Sequence, residues 1–156
     1  MPLYPMGYHI TWGTYGTRLT GGDRAYVDRW HNQYGAPLPE TDHAREDAAR
    51  NRMGEDPVYL TFEQRKEVER AIREVADRYG WPIHEIAPQS DHTHIVITAN
   101  RDGEELRDAP KAVACRALNK KFGKRTWWAE GGSSKYLWEQ SYFDNSVGYV
   151  HRQRDF

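Results

Sequence analysis

The chain has 156 residues, with 22 Lys and Arg against 23 Asp and Glu and a formal net charge of −1. That length suits a single globular domain, and the near-neutral balance argues against nonspecific coating of duplex DNA while leaving room for local basic patches. No apolar run approaches the roughly 20 residues needed to span a bilayer, and Met1-Pro2-Leu3-Tyr4-Pro5 lacks the pattern of a signal peptide, so a cytoplasmic chain with no membrane partner is expected.

Tyr8-His9-Ile10-Thr11-Trp12 alternates and is rich in β formers, which makes it the first strand. Gly13, Gly16, Gly21 and Gly22 then break the pattern. His9-Ile10-Thr11 also matches half of the paired His-x-Thr signature of certain phosphoesterases. The second half is missing, because neither His92 nor His94 has a hydroxyl two places on, and that class is set aside. From about 21 to 57 the chain is polar and punctuated by Pro37, Pro39, Gly54 and Pro57, and is read as an insertion in the domain. Within it, Thr41 to Met53 has a cap-like start and helix formers; Arg45, Arg50 and Arg52 there are read as a solvated face.

Thr61-Phe62-Glu63-Gln64 is a capping signature that opens a helix running to about Tyr79 and closing at Gly80. Phe62, Val68, Ile72, Val75 and Tyr79 form its apolar stripe, expected to be core. A strand follows over 81–88, then Gln89-Ser90-Asp91-His92-Thr93-His94-Ile95-Val96-Ile97-Thr98. The β-branched run after the histidines makes this second stretch a strand. Alternation puts His92 and His94 on one face and Thr93 on the other. Two imidazoles side by side on a strand are a preformed pair of metal ligands, although a site needs at least one more.

A second long helix is expected from about Leu106 to Phe122, with Val113, Ala114, Leu118 and Phe122 inward and Cys115, the only cysteine, as a small buried residue. A lone cysteine also excludes an intrachain disulfide and a cysteine-based zinc cage. Arg107, Lys111, Arg116, Lys120, Lys121, Lys124 and Arg125 make this region the strongest cationic cluster, either a solvated face or a surface for backbone phosphates. Trp127-Trp128 and Tyr136-Leu137-Trp138 flank a glycine-rich turn and read as a hairpin or a strand with a wide loop, mostly buried. If the closing segment is helical, Tyr149 and Gln153 are four apart and share a face. A nucleophile and an oxygen ligand would then stand together, while His151 would point elsewhere.

His92-Thr93-His94 joined to Tyr149-Val150-His151-Arg152-Gln153 resembles the single-tyrosine HUH endonucleases, the transposases of small insertion sequences and of repetitive extragenic palindromes. Thr93 departs from that pattern, standing where the family carries a bulky apolar residue. The resemblance implies an α+β fold with a ferredoxin-like central antiparallel sheet, helices packed on it and the histidines on a central strand. It implies Mg2+ or Mn2+ held by His92, His94 and Gln153, and attack by Tyr149 on single-stranded DNA beside a hairpin. The products would be a 5′-phosphotyrosine link and a free 3′ hydroxyl. A homodimer, with the tyrosine acting in its own subunit or its partner's, and association with the nucleoid are implied as well. Tyr142, which lacks a Gln four residues on, is a fallback nucleophile. Two rivals remain: a DNA-hairpin binding module that does not cut, and a metal-dependent hydrolase using water, with Tyr149 structural.

Overall fold

Alternation of apolar side chains builds the centre of the molecule, whose computed structural model describes residues 3–17 and 43–156. Four strands, β1 (Gly7–Gly13), β2 (Ile83–Pro88), β3 (His92–Ile97) and β4 (Ser133–Leu137), form one sheet in the order β2-β3-β1-β4. Every pairing is antiparallel. Among the described residues four helices accompany them: α1 (His43–Asn51), α2 (Phe62–Tyr79), α3 (Gly103–Phe122) and α4 (Gln140–Gln153). The α+β architecture expected from the sequence is thus present, with the histidine strand β3 central. Of the insertion expected at about 21–57, residues up to 42 lie outside the described residues, and α1 falls within the rest.

The two faces of the sheet are different environments. Tyr8, Ile10 and Trp12 of β1 and Ile95 and Ile97 of β3 point to one side and close a core with Val68, Ile72 and Ala76 of α2 and Leu106, Ala114 and Leu118 of α3. Val96, Ala87 and Leu137 point to the other side and meet Phe143, Val147 and Val150 of α4. A period of two thus gives β1 and β3 one face that is apolar apart from Thr93 and one that is shared between α4 and polar residues.

The ends of α2 follow their sequence signals. Thr61 accepts from the Gln64 backbone at 3.2 Å while the Gln64 side chain accepts from the Thr61 backbone at 2.9 Å, a reciprocal cap. Gly80 ends the helix at φ 69, where a side chain would be strained. Val68, Ile72 and Val75 are buried as expected, whereas Phe62 and Tyr79 are exposed. They sit at the two ends of the helix and pack instead on Phe156 and Trp81. The second long helix begins earlier than expected, at Gly103, because the Asp102 side chain accepts from Glu104 N at 2.8 Å. Cys115 is half-buried against the core and Phe122 is exposed. The segment 127–138 is one strand with a wide loop, since Trp128 makes only an isolated bridge to Thr14. Trp127 is buried and Tyr136 and Trp138 are exposed. No helix among the described residues is long and apolar enough to cross a membrane.

Candidate nucleic-acid cleavage site

Neighbouring strands place the polar side chains of the second face. Thr11 stands opposite His94 and Gly13 opposite His92 in the β1–β3 register, so His9 and Thr11 share the face of His92 and His94. The two β3 rings are 4.7 Å apart between centroids. His94 is buried, at 6% exposure, and its Nδ1 lies 3.1 Å from His9 Nε2 and 3.1 Å from Thr11 Oγ1. His92 is more open, and its Nδ1 lies 2.6 Å from the Asp91 carboxylate. Asp91 is fixed in turn, because its carbonyl accepts from Thr14 N at 2.9 Å and from Thr14 Oγ1 at 3.2 Å. Burial pushes the pKa of His9 down to about 4, with the Lys135 charge opposite it adding to the effect. His9 is therefore a neutral imidazole near neutral pH.

Helix α4 brings the tyrosine to this face. Phe143, Val147 and Val150 recur at spacings of four and three and seat the helix on Ala87, Val96 and Leu137. Tyr149, one residue before the fully buried Val150, is 42% exposed, and its ring stands 5.5 Å from His94 and 5.9 Å from His9. Gln153 follows one turn later at the last position of α4. Gln89 ties it to the histidine strand: the Gln89 backbone donates to His92 O at 2.7 Å, and its side-chain amide donates to Gln153 O at 2.7 Å and to Gln153 Oε1 at 3.3 Å. His151 turns outward to Glu85 at 2.9 Å, in keeping with its expected surface position.

Beyond Gln153 the chain is held to α2. Arg154 donates to both carboxylate oxygens of Glu69, at 2.6 and 3.1 Å, and to Ile86 O at 2.7 Å. Arg65 pairs with Asp155, and Phe156 packs edge-on against Phe62. These contacts fix the end of the helix that carries Tyr149 and Gln153.

Two imidazoles with an amide oxygen would make a mixed nitrogen and oxygen donor set. Among the described residues no three His, Cys, Asp or Glu side chains group to hold a metal, so a pair of imidazoles needs an oxygen donor of another kind. An amide oxygen such as that of Gln153 is a donor of that kind; oxygen donors suit Mg2+ and Mn2+, and imidazoles suit Zn2+, Fe2+, Ni2+ and Cu2+.

The cationic cluster divides. Arg107 donates to Gly132 O at 3.4 Å and pairs with Asp108, and Lys111 donates to Ala129 O at 3.0 Å and Gly131 O at 2.8 Å. Burial, then the Arg107 charge, lowers the Lys111 pKa. Arg125 donates to Asp56 O at 2.7 Å, and Lys121 lies 3.8 Å from Glu67. Arg107, Lys111 and Arg125 therefore secure the loops around β4 and before α2. Arg116, Lys120 and Lys124 are exposed. All belong to α3 or its end, across the sheet from the histidines.

Sequence reasoning did not find the roles of His9, Thr11, Asp91, Gln89 or Arg154. The alternation of β1 placed His9 and Thr11 on one face, but which strand lies beside β1 is a nonlocal fact. Asp91 was the one accessible signal, a carboxylate directly before the first histidine.

Residues 57–154 match the family described as IS200-like transposases, which takes in the histidine strand and the whole of α4. No curated protein matches in sequence. Two solved structures share the fold. A Deinococcus radiodurans protein assigned to the transposases aligns over 99% of this chain and 95% of its own, at 13% identity and a TM-score of 0.52. A REP-associated tyrosine transposase, solved bound to a REP hairpin, aligns over 97% of this chain and 69% of its own, at 11% identity and a TM-score of 0.56.

Proposed function

The chain belongs to the IS200-like transposase family, and from that premise we propose that it cuts and rejoins single-stranded DNA beside a hairpin through a covalent link to Tyr149. The observation that carries this reading is the packing of the Tyr149 ring against His94, 5.5 Å away, on the sheet face that also bears His92. A phenol and a pair of imidazoles on one face meet the needs of nucleophilic phosphoryl transfer.

His92, His94 and Gln153 would hold Mg2+ or Mn2+, and that ion would supply charge neutralisation at a nonbridging oxygen of the scissile phosphate. The chain's own residues do the rest. β3 keeps the two imidazoles at fixed spacing, and Val150 and Val147 seat α4 so that Tyr149 stays beside them. The Tyr149 oxygen loses its proton and bonds to phosphorus, and the bond from phosphorus to the 3′ oxygen breaks. A 5′-phosphotyrosine and a 3′ hydroxyl result, and attack by another 3′ hydroxyl reverses the step without ATP. The Arg154–Glu69 pair anchors the tyrosine helix to α2.

The bound hairpin of the REP-associated relative supports a hairpin-bearing substrate here as well. Arg116, Lys120 and Lys124, exposed across the sheet from the histidines, would meet phosphates of DNA held away from the scissile position. Incubation of the full chain with single-stranded DNA hairpins and Mg2+ or Mn2+, analysed on a denaturing gel, tests the reading. A protein–DNA adduct lost in Tyr149→Phe is expected. Cleavage that survives Tyr149→Phe would mean a water nucleophile, and binding without cleavage would mean a recognition module.

A further inference from the structure

We infer that His9 and Thr11 are positioning residues for His94, holding the proton of its ring on Nδ1 so that Nε2 keeps the lone pair that a metal ion needs. The inference rests on the functional reading above for its purpose, and on geometry for its content. A neutral imidazole has one N–H and one lone pair, and whatever engages one nitrogen decides what the other can do. His94 Nδ1 has two neighbours at the same distance, His9 Nε2 and Thr11 Oγ1, each at 3.1 Å. Both come from alternate positions of β1, with Thr11 directly opposite His94 in the register. Two atoms able to accept flank one nitrogen, which favours the proton there.

His92 reaches the same state by another route. Its Nδ1 faces the Asp91 carboxylate at 2.6 Å, and an ionised carboxylate can only accept, so the His92 proton must sit on Nδ1. The two rings of β3 therefore offer the same atom, Nε2, although one is held by a carboxylate and the other by a neutral pair on the next strand. Histidines that bind metals characteristically donate the second ring N–H to such a partner, which fixes tautomer and orientation. His9 does not compete through Nε2, because that atom is turned to His94 at 3.1 Å.

The test has two arms on the full chain. Long-range 1H–15N correlation spectra of the metal-free protein at about pH 8, where free imidazoles are neutral, should show both His92 and His94 as Nδ1–H tautomers. Mn2+ binding followed by electron paramagnetic resonance should weaken about tenfold in His9→Phe, within the range typical for loss of such partners. It should be largely retained in His9→Gln, whose amide oxygen can take the place of Nε2. An Nε2–H tautomer at His94, or wild-type Mn2+ affinity in a folded double variant carrying His9→Phe and Thr11→Val, would overturn the inference. A wild-type protein that binds no Mn2+ would contradict the metal reading instead, and the tautomer of His94, read without metal, would still decide the role of His9 and Thr11.

Discussion

Replacing Arg154 with Ala removes the anchor at the end of the tyrosine helix. The side chain makes a two-pronged contact with Glu69, at 2.6 and 3.1 Å, and a third bond to Ile86 O at 2.7 Å. Its side chain is 24% exposed and that of Glu69 15%, so the pair is neither a surface pair, worth about 0.2–1 kcal/mol, nor fully buried, where breaking one partner costs roughly 3–5 kcal/mol. Glu69 also keeps Arg73, 3.1 Å away, after the change. An intermediate loss of about 2 kcal/mol follows, equivalent to roughly thirty-fold in an equilibrium constant. Urea unfolding at neutral pH should show it, and amide exchange in the last turn of α4 should accelerate with it. The loss should also depend on pH. Burial raises the Glu69 carboxyl pKa, but the hydrogen bonds and charges of Arg154 and Arg73 outweigh it and leave it below its ordinary 4.5. A depressed carboxyl contributes stability that is complete above that ordinary value and lost as pH falls through the folded one. The gap between the two proteins should therefore narrow as the medium is taken well below about pH 4, leaving the share due to the Ile86 carbonyl. A difference under about 0.5 kcal/mol at neutral pH, or one that persists unchanged in acid, would refute this account of the anchor.

Other perturbations give independent readouts. Thr93 is fully buried and its hydroxyl has no hydrogen-bond partner, so the isosteric Thr93→Val should raise the unfolding free energy by about 1 kcal/mol, measured in urea. A Cβ at Gly132, which has φ +138, would stand 2.5 Å from Thr11 O, so Gly132→Ala should lower the thermal midpoint and loosen the pairing of β1 with β4. Replacing Arg116, Lys120 and Lys124 together with Ala should weaken DNA binding and reduce its salt dependence by about 2 in the log–log slope, with the cleavage rate on saturating DNA unchanged. A chelator should abolish cleavage by wild type, and added Mn2+ should restore it.

What local chemistry dictates was legible along the chain. The alternation of His92 and His94, the reciprocal cap of Thr61 and Gln64, the stop at Gly80 and the shared helical face of Tyr149 and Gln153 depend on neighbours within one turn or one strand. Features set by the sheet were not. His9 and Thr11 reach His94 only because β1 lies beside β3, a pairing across more than eighty residues of chain. Charge likewise carried no direction: Arg107, Lys111 and Arg125 satisfy backbone carbonyls of nearby loops, and α3 lies across the sheet from the histidines. Phe62 and Tyr79 fitted an apolar stripe, yet they stand at the two ends of α2, exposed, and pack on Phe156 and Trp81. Thr93 broke the apolar pattern of its own strand face, and the sheet accommodated it by burying its hydroxyl without a partner.

The central claim is that Tyr149 becomes bonded to DNA. Trypsin acting after Lys135 and Arg152 leaves the peptide 136–152, which holds Tyr136, Tyr142 and Tyr149, so fragmentation of the nucleotide-bearing peptide by tandem mass spectrometry locates the link. The account predicts the nucleotide on Tyr149, through its 5′ phosphate. A link at Tyr142, two helical turns away, or cleaved DNA with no modified peptide, would contradict it.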